Sequence, residues 1–91
     1  MFKNIAIISK NDDNSVKDSL DTVISYLDSK KIKYFLDNNS SILLNNKSST
    51  NIDEMKSKCD IAFIIGGDGT LLRSAQYLSK ANIPICGINR G

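Results

Sequence analysis

Ile61-Ala62-Phe63-Ile64-Ile65-Gly66-Gly67-Asp68-Gly69-Thr70-Leu71-Leu72 is the stretch whose reading decides the fold. It begins as a short, β-branched apolar run and breaks at clustered glycines. Leu71, Leu72, Ala75 and Leu78 then recur at helical spacing. Strand, glycine loop and helix in that order make one unit of an α/β sheet. Such a loop lies at the carboxyl end of its strand, where ligands of open sheets bind. Glycines let a phosphate approach the backbone, and a helix N-terminus favours its charge. The loop also carries a carboxylate, Asp68, which would repel a phosphate unless it had another task. A phosphate cradle beside a potential base points to phosphoryl transfer.

The same grammar extends outward. Lys3 to Ser9 reads as a first strand, and its unbroken apolar run Ile5-Ala6-Ile7-Ile8 suits a strand covered on both faces. Lys10 to Asn14 is a polar loop. Ser15 and Asp18 match a capping box, and Val16, Leu20, Val23, Ile24 and Leu27 carry a helix to about Lys30. Lys30 and Lys31 complement the dipole at its far end. Ile32 to Leu36 is a second strand. Residues 37–51, rich in Asn and Ser, read as a connection with little regular structure and room for one short strand or turn at 41–44. Ile52 to Lys58 forms one or two helical turns, Asp60 to Ile65 the third strand, and Thr70 to about Lys80 a helix. Pro84 opens a fourth strand, Ile85-Cys86-Gly87-Ile88. Strands alternating with helices imply a three-layer α/β domain with a parallel sheet and right-handed crossovers.

Composition bounds the rest. Ninety-one residues make one small domain at most. With 41% hydrophobic and 24% charged residues, the chain reads as an ordinary globular protein. A net charge of +2, with Lys and Arg scattered along the sequence, argues against a nucleic-acid partner. No apolar run reaches the roughly 18 residues of a membrane span, and the first residues lack a signal-peptide layout. A cytoplasmic location is the default expectation. The chain has no histidine, which removes Ser-His-Asp and Cys-His catalysis and most zinc sites; any base is a carboxylate, lysine or tyrosine. Cys59 and Cys86 have no CxxC spacing and read as buried or half-buried thiols. Tyr26, Tyr34, Phe35 and Phe63 read as packing residues. Asp12 and Asp13 fit helix entry or a metal-binding acidic pair. Asp37 fits an ordinary loop acid or a ribose contact.

A second motif, Gly87-Ile88-Asn89-Arg90-Gly91, follows the fourth strand as the first follows the third. Together they resemble the N-terminal domain of bacterial NAD kinases, in which a GGDGT loop is followed, about one helix and strand later, by G-[IV]-N-x-G. The resemblance is specific over residues 60–91 and supports a general layout over 1–59. GGDGT alone is shared with diacylglycerol kinases, sphingosine kinases and phosphofructokinases.

The resemblance implies a Rossmann-like N-terminal lobe of a two-domain kinase. Asp68 matches the family's catalytic aspartate, acting on the adenosine ribose 2′-hydroxyl of NAD. Gly69 and Arg73 match NAD-binding positions. Gly66, Gly67, Thr70 and Asn89 belong to the loops facing the phosphates. ATP with Mg²⁺ would be the donor, and the full-length protein would be a homo-oligomer. The family's Asn-Glu or Asn-Asp pair and its β-rich C-terminal domain are not in residues 1–91, so the chain reads as a lobe that is inactive alone. Neither a classical dinucleotide fingerprint nor a Walker loop is present: Ser9-Lys10-Asn11-Asp12-Asp13 has no glycine, and no lysine follows the glycines of 66–69. A lipid kinase and a receiver-like switch, with acids after strands one and three, remain alternatives on this reading.

Overall fold

The computed structural model describes residues 3–9, 14–45, 48–66, 75, 76, 78, 80 and 82–89. Four strands, β1 (Asn4–Ser9), β2 (Lys33–Leu36), β3 (Ile61–Gly66) and β4 (Ile85–Asn89), form one sheet in the order β2-β1-β3-β4. Every pairing is parallel. The helices are α1 (Asn14–Ser29), α2 (Asn38–Leu43) and α3 (Ile52–Lys58), and Ala75, Gln76 and Leu78 are also helical.

The strands alternate between two apolar layers. Ile5, Ile7 and Ile65 point one way and pack with Val16, Leu20 and Leu27 of α1. Ala6, Ile8, Ala62 and Ile64 point the other way and pack with Met55, Cys59, Leu78 and Ile83. Central β1 is therefore buried from Ile5 to Ser9, which is why its sequence is continuously apolar. Helix α1 needs only one face: Val16, Leu20 and Leu27 are fully buried, while Lys17 pairs with Asp21 at 3.0 Å on the solvent side. Burying one such leucine contributes roughly 1.5–3 kcal/mol.

The end of α1 is set by backbone geometry. Lys31 N–H donates to Asp28 at 3.1 Å and Ile32 N–H to Leu27 at 2.9 Å. With Lys31 at φ 58°, this is a Schellman ending whose residue after the left-handed turn, Ile32, packs onto the α1 layer. Strand β2 consequently starts at Lys33 instead of Ile32. At the other end, α1 already includes Asn14, so Ser15 lies inside the helix and is not its cap.

Residues 37–51 depart further from expectation, because the polar stretch after β2 folds as α2. Asp37 caps it, accepting from Ser40 N–H at 2.9 Å, and Ser40 and Ser41 are buried. Asn and Ser are weak helix formers, so a cap and tertiary burial override propensity here. Helix α3 is capped likewise by Asn51, which accepts from Glu54 N–H at 2.9 Å. The join into β3 is pinned by Asp60: its Oδ2 accepts from Lys3 N–H at 2.7 Å and Asn4 N–H at 3.1 Å. Those two donors hold the Asp60 carboxyl below the usual carboxylate range.

Tyr34, Phe35 and Phe63 pack against the two layers as expected, but Tyr26 is 59% exposed on α1. The cysteines also separate. Cys59 is buried, and burial foremost, with the neighbouring Asp60 charge, pushes its thiol up to about 11. Cys86, by contrast, is exposed, because it sits on β4 at the edge of the sheet.

Candidate functional site at the carboxyl edge

In a parallel sheet every strand delivers its last residue to the same edge. Here that edge is formed by Ser9, Leu36, Gly66 and Asn89. The chain moves from β1 outward to β2, then returns past β1 to β3. The reversal of strand order thus falls between β1 and β3, where open α/β sheets form their ligand crevice.

The first residue of one motif, Gly66, and the third of the other, Asn89, reach this edge on β3 and β4. Gly66 is the last residue of β3, one position further than the sequence suggested, and it is buried with φ 157°, a positive angle that suits glycine. In register, Gly66 lies directly beside Asn89, the last residue of β4. Ser9 lies beside Ile65, one step before Gly66 on the other flank. The first glycine of one motif and the asparagine of the other are thereby neighbours on adjacent strands, though 23 positions apart in sequence. Gly67, Asp68, Gly69, Thr70, Arg73, Asp12 and Asp13 lie outside the described residues, as do Arg90 and Gly91.

The chain as a whole matches a known family. The model of the ATP-NAD kinase N-terminal domain matches residues 5–91. The chain belongs to the ATP-NAD kinase N-terminal domain family. Among curated relatives, the NAD kinase of Nitrosospira multiformis is 34% identical over 92 residues, covering 99% of this chain and 31% of the relative. The NAD kinase of Methanosphaera stadtmanae is 39% identical over 87 residues, covering 96% and 32%. That of Francisella tularensis subsp. novicida is 30% identical over 93 residues, covering 99% and 31%. The chain thus spans about a third of the length of the NAD kinases it matches.

Beneath the β1 end of this edge lies a buried polar cluster that sequence reasoning missed. Ser9 Oγ and Ser40 Oγ are 2.7 Å apart, and both residues are fully buried. The Asn39 side-chain amide donates to Ser9 Oγ at 3.4 Å. Helix α2 is thereby docked over the end of β1 by hydroxyls, while its Leu43 packs on the α1-side apolar layer. The available signal was Asp37 followed by Ser40, a capping pattern within a stretch that reads as linker. Asp37 itself is a helix cap, which accounts for its position without a ribose.

On the β4 side, Asp18, Ser19, Thr22, Val23 and Ile88 line an open cleft of about 340 Å³ beside Asn89. The perturbed groups among the described residues lie away from this edge. Tyr34, raised by burial first and then by its hydrogen bond to Asp28, belongs to the packing between α1 and β2. Asp60 and Cys59 sit where α3 runs into β3.

Proposed function

We propose that this chain is the N-terminal lobe of an NAD kinase, which transfers the γ-phosphoryl of ATP to the adenosine ribose 2′-hydroxyl of NAD to give NADP. The observation that supports the reading is the register of Gly66 beside Asn89, one residue from each motif, within a chain that matches the ATP-NAD kinase N-terminal domain over residues 5–91.

The roles follow from chemistry. A ribose hydroxyl is a weak nucleophile until a base takes its proton, and Asp68 supplies that base. The 2′-oxygen bonds to the γ-phosphorus, the bond to the β,γ-bridging oxygen breaks, and the proton passes to the Asp68 carboxylate. ADP leaves with the bridging oxygen. Gly69 and Arg73 hold NAD. Gly66, Gly67 and Thr70 let phosphates approach the backbone, and Asn89 borders them from β4. Phosphoryl transfer rests on positioning and neutralisation of charge. Mg²⁺ bound to ATP would supply that neutralisation; among the described residues no three His, Cys, Asp or Glu side chains converge to hold a metal.

The reaction belongs to a cytoplasmic, homo-oligomeric protein longer than these residues. Among the described residues no helix is long and apolar enough to cross a membrane.

The test is NADP formation by the full reading frame given NAD and Mg-ATP. Asp68→Asn lowers turnover by about 10²–10⁴, the usual worth of a positioned base. A loss below tenfold removes Asp68 from the base role. Residues 1–91 alone do not turn over, because the second wall of the cleft lies outside them, and NADP production by this chain would overturn that.

A further inference from the structure

The edge opposite the candidate site carries charge that the linear sequence conceals. Parallel strands all begin there, and α1 and α3 end there. Lys3 precedes β1, Lys33 opens β2, Lys30 and Lys31 follow α1, and Lys58 ends α3. These five lysines are exposed. The register pairs Asn4 with Lys33, so the starts of β1 and β2 lie side by side, about 4.8 Å apart as neighbouring strands. Lys33 Nζ and Lys58 Nζ sit 5.3 and 5.9 Å from the centre of the same Phe35 ring, and Lys30 Nζ lies 5.9 Å from that of Tyr26.

The carboxylates at this edge are otherwise engaged. Asp60 accepts the Lys3 and Asn4 backbone N–H groups, and Asp28 bonds the Tyr34 hydroxyl. Lys58 pairs with Glu54 at 3.3 Å, but among the described residues no ion pair engages Lys30, Lys31 or Lys33. Helix dipoles account for lysines at helix ends. They do not account for Lys3 and Lys33 at strand starts, nor for two ammonium groups gathered over one ring.

We propose that this amino-terminal edge, centred on the starts of β1 and β2, is a docking surface for single-stranded nucleic acid. Clustered ammonium groups suit a repeating phosphate backbone, and aromatic rings beside them suit unstacked bases. Tyr26, more than half exposed, is the ring placed to stack. A membrane surface fits less well, because peripheral binding needs apolar anchors beside the charge. The exposed large hydrophobics among the described residues are Tyr26 and Ile42, and Ile42 lies on α2, which follows the carboxyl end of β2. The surface is remote from Gly66 and Asn89, so the proposal stands or falls independently of the kinase reading.

The experiment is fluorescence anisotropy of a labelled oligothymidylate of about 20 nucleotides, longer than a typical single-strand site, titrated with the 91-residue chain. At roughly 50 mM salt the dissociation constant falls in the micromolar range, and it weakens with a log–log salt slope of about −3, as for four neutralised phosphates. Lys30→Gln/Lys33→Gln/Lys58→Gln, checked for folding by circular dichroism, binds at least about tenfold more weakly with a slope near −1. Lys17→Gln, nearer the start of α1, binds as the parent does. Absence of binding at about 100 μM protein in low salt, equal binding by the folded triple variant, or binding to phosphatidylserine vesicles without binding to the oligonucleotide would each overturn the proposal.

Discussion

Removing one hydroxyl of the Ser9–Ser40 pair isolates a buried polar group, and the size of the effect can be worked from its surroundings. Both side chains are fully buried and 2.7 Å apart. In Ser9→Ala, the Ser40 hydroxyl loses its partner in a site without water access, at a cost of about 1–3 kcal/mol. Ser40→Ala is milder, because the Asn39 amide, 3.4 Å from Ser9 Oγ, still reaches the remaining hydroxyl. In the double variant two apolar groups meet and neither hydroxyl is orphaned, so the loss is no larger than that of Ser9→Ala alone. The coupling energy is therefore about 1–2 kcal/mol. For a chain of this size each kcal/mol moves the thermal midpoint by roughly 4–8 °C. Ser9→Ala thus melts roughly 8–16 °C lower for a loss near 2 kcal/mol. Urea and thermal unfolding of the four proteins complete the cycle. Additivity within about 0.3 kcal/mol, or a larger loss for Ser40→Ala than for Ser9→Ala, refutes the argument that these hydroxyls hold α2 on β1.

Three further outcomes are expected. Leu20→Ala, at a fully buried position of α1, destabilises by about 2–5 kcal/mol, whereas Ile42→Ala, on an exposed side chain, stays within about 0.5 kcal/mol; chemical denaturation separates them. Lys31→Gly relieves a left-handed residue at φ 58° but loosens the unfolded chain, so the thermal midpoint rises by the equivalent of about 0–1 kcal/mol; a fall of more than about 0.5 kcal/mol contradicts the Schellman ending. The two thiols differ in burial. Cys59, raised to about 11, keeps its proton where the unfolded thiol loses one, so its contribution is complete below about pH 8.5 and is lost as pH rises through 11. A thiol reagent at neutral pH labels Cys86 at once and Cys59 on unfolding; equal rates contradict the burial of Cys59.

What the sequence made legible follows from how each element earns its stability. Strands β1 and β3 are buried on both faces, so an unbroken apolar run announces them. Helix α1 is long enough for its one-sided spacing to be unambiguous. Helix α2 has neither property: six residues, Asn38–Leu43, held by the Asp37 cap and by a hydroxyl contact to Ser9, 31 positions away. A contact between residues so far apart leaves no local periodic trace, and Asn and Ser are weighted toward loops. Cys86 and Tyr26 look like core residues by type, yet one sits on an edge strand and the other on the outer side of α1. Their exposure is decided by topology, which residue type does not report.

Topology likewise ties the two ends of this domain to different chemistry. An all-parallel sheet sends every strand terminus to one edge, so motifs that follow strands meet there without any contact being specified between them. Gly66 and Asn89 are adjacent because β3 and β4 are paired in that register, and a one-residue slip would part them. The register is fixed by the apolar alternation: a slip of β4 would turn Ile85 and Ile88, which pack on opposite layers, to the wrong faces. The same rule gathers whatever precedes the strands and ends the helices at the other edge, which is how lysines separated along the chain converge beside β1 and β2. The apolar pattern that builds the core thus also positions both the motif-bearing edge and the lysine-bearing one.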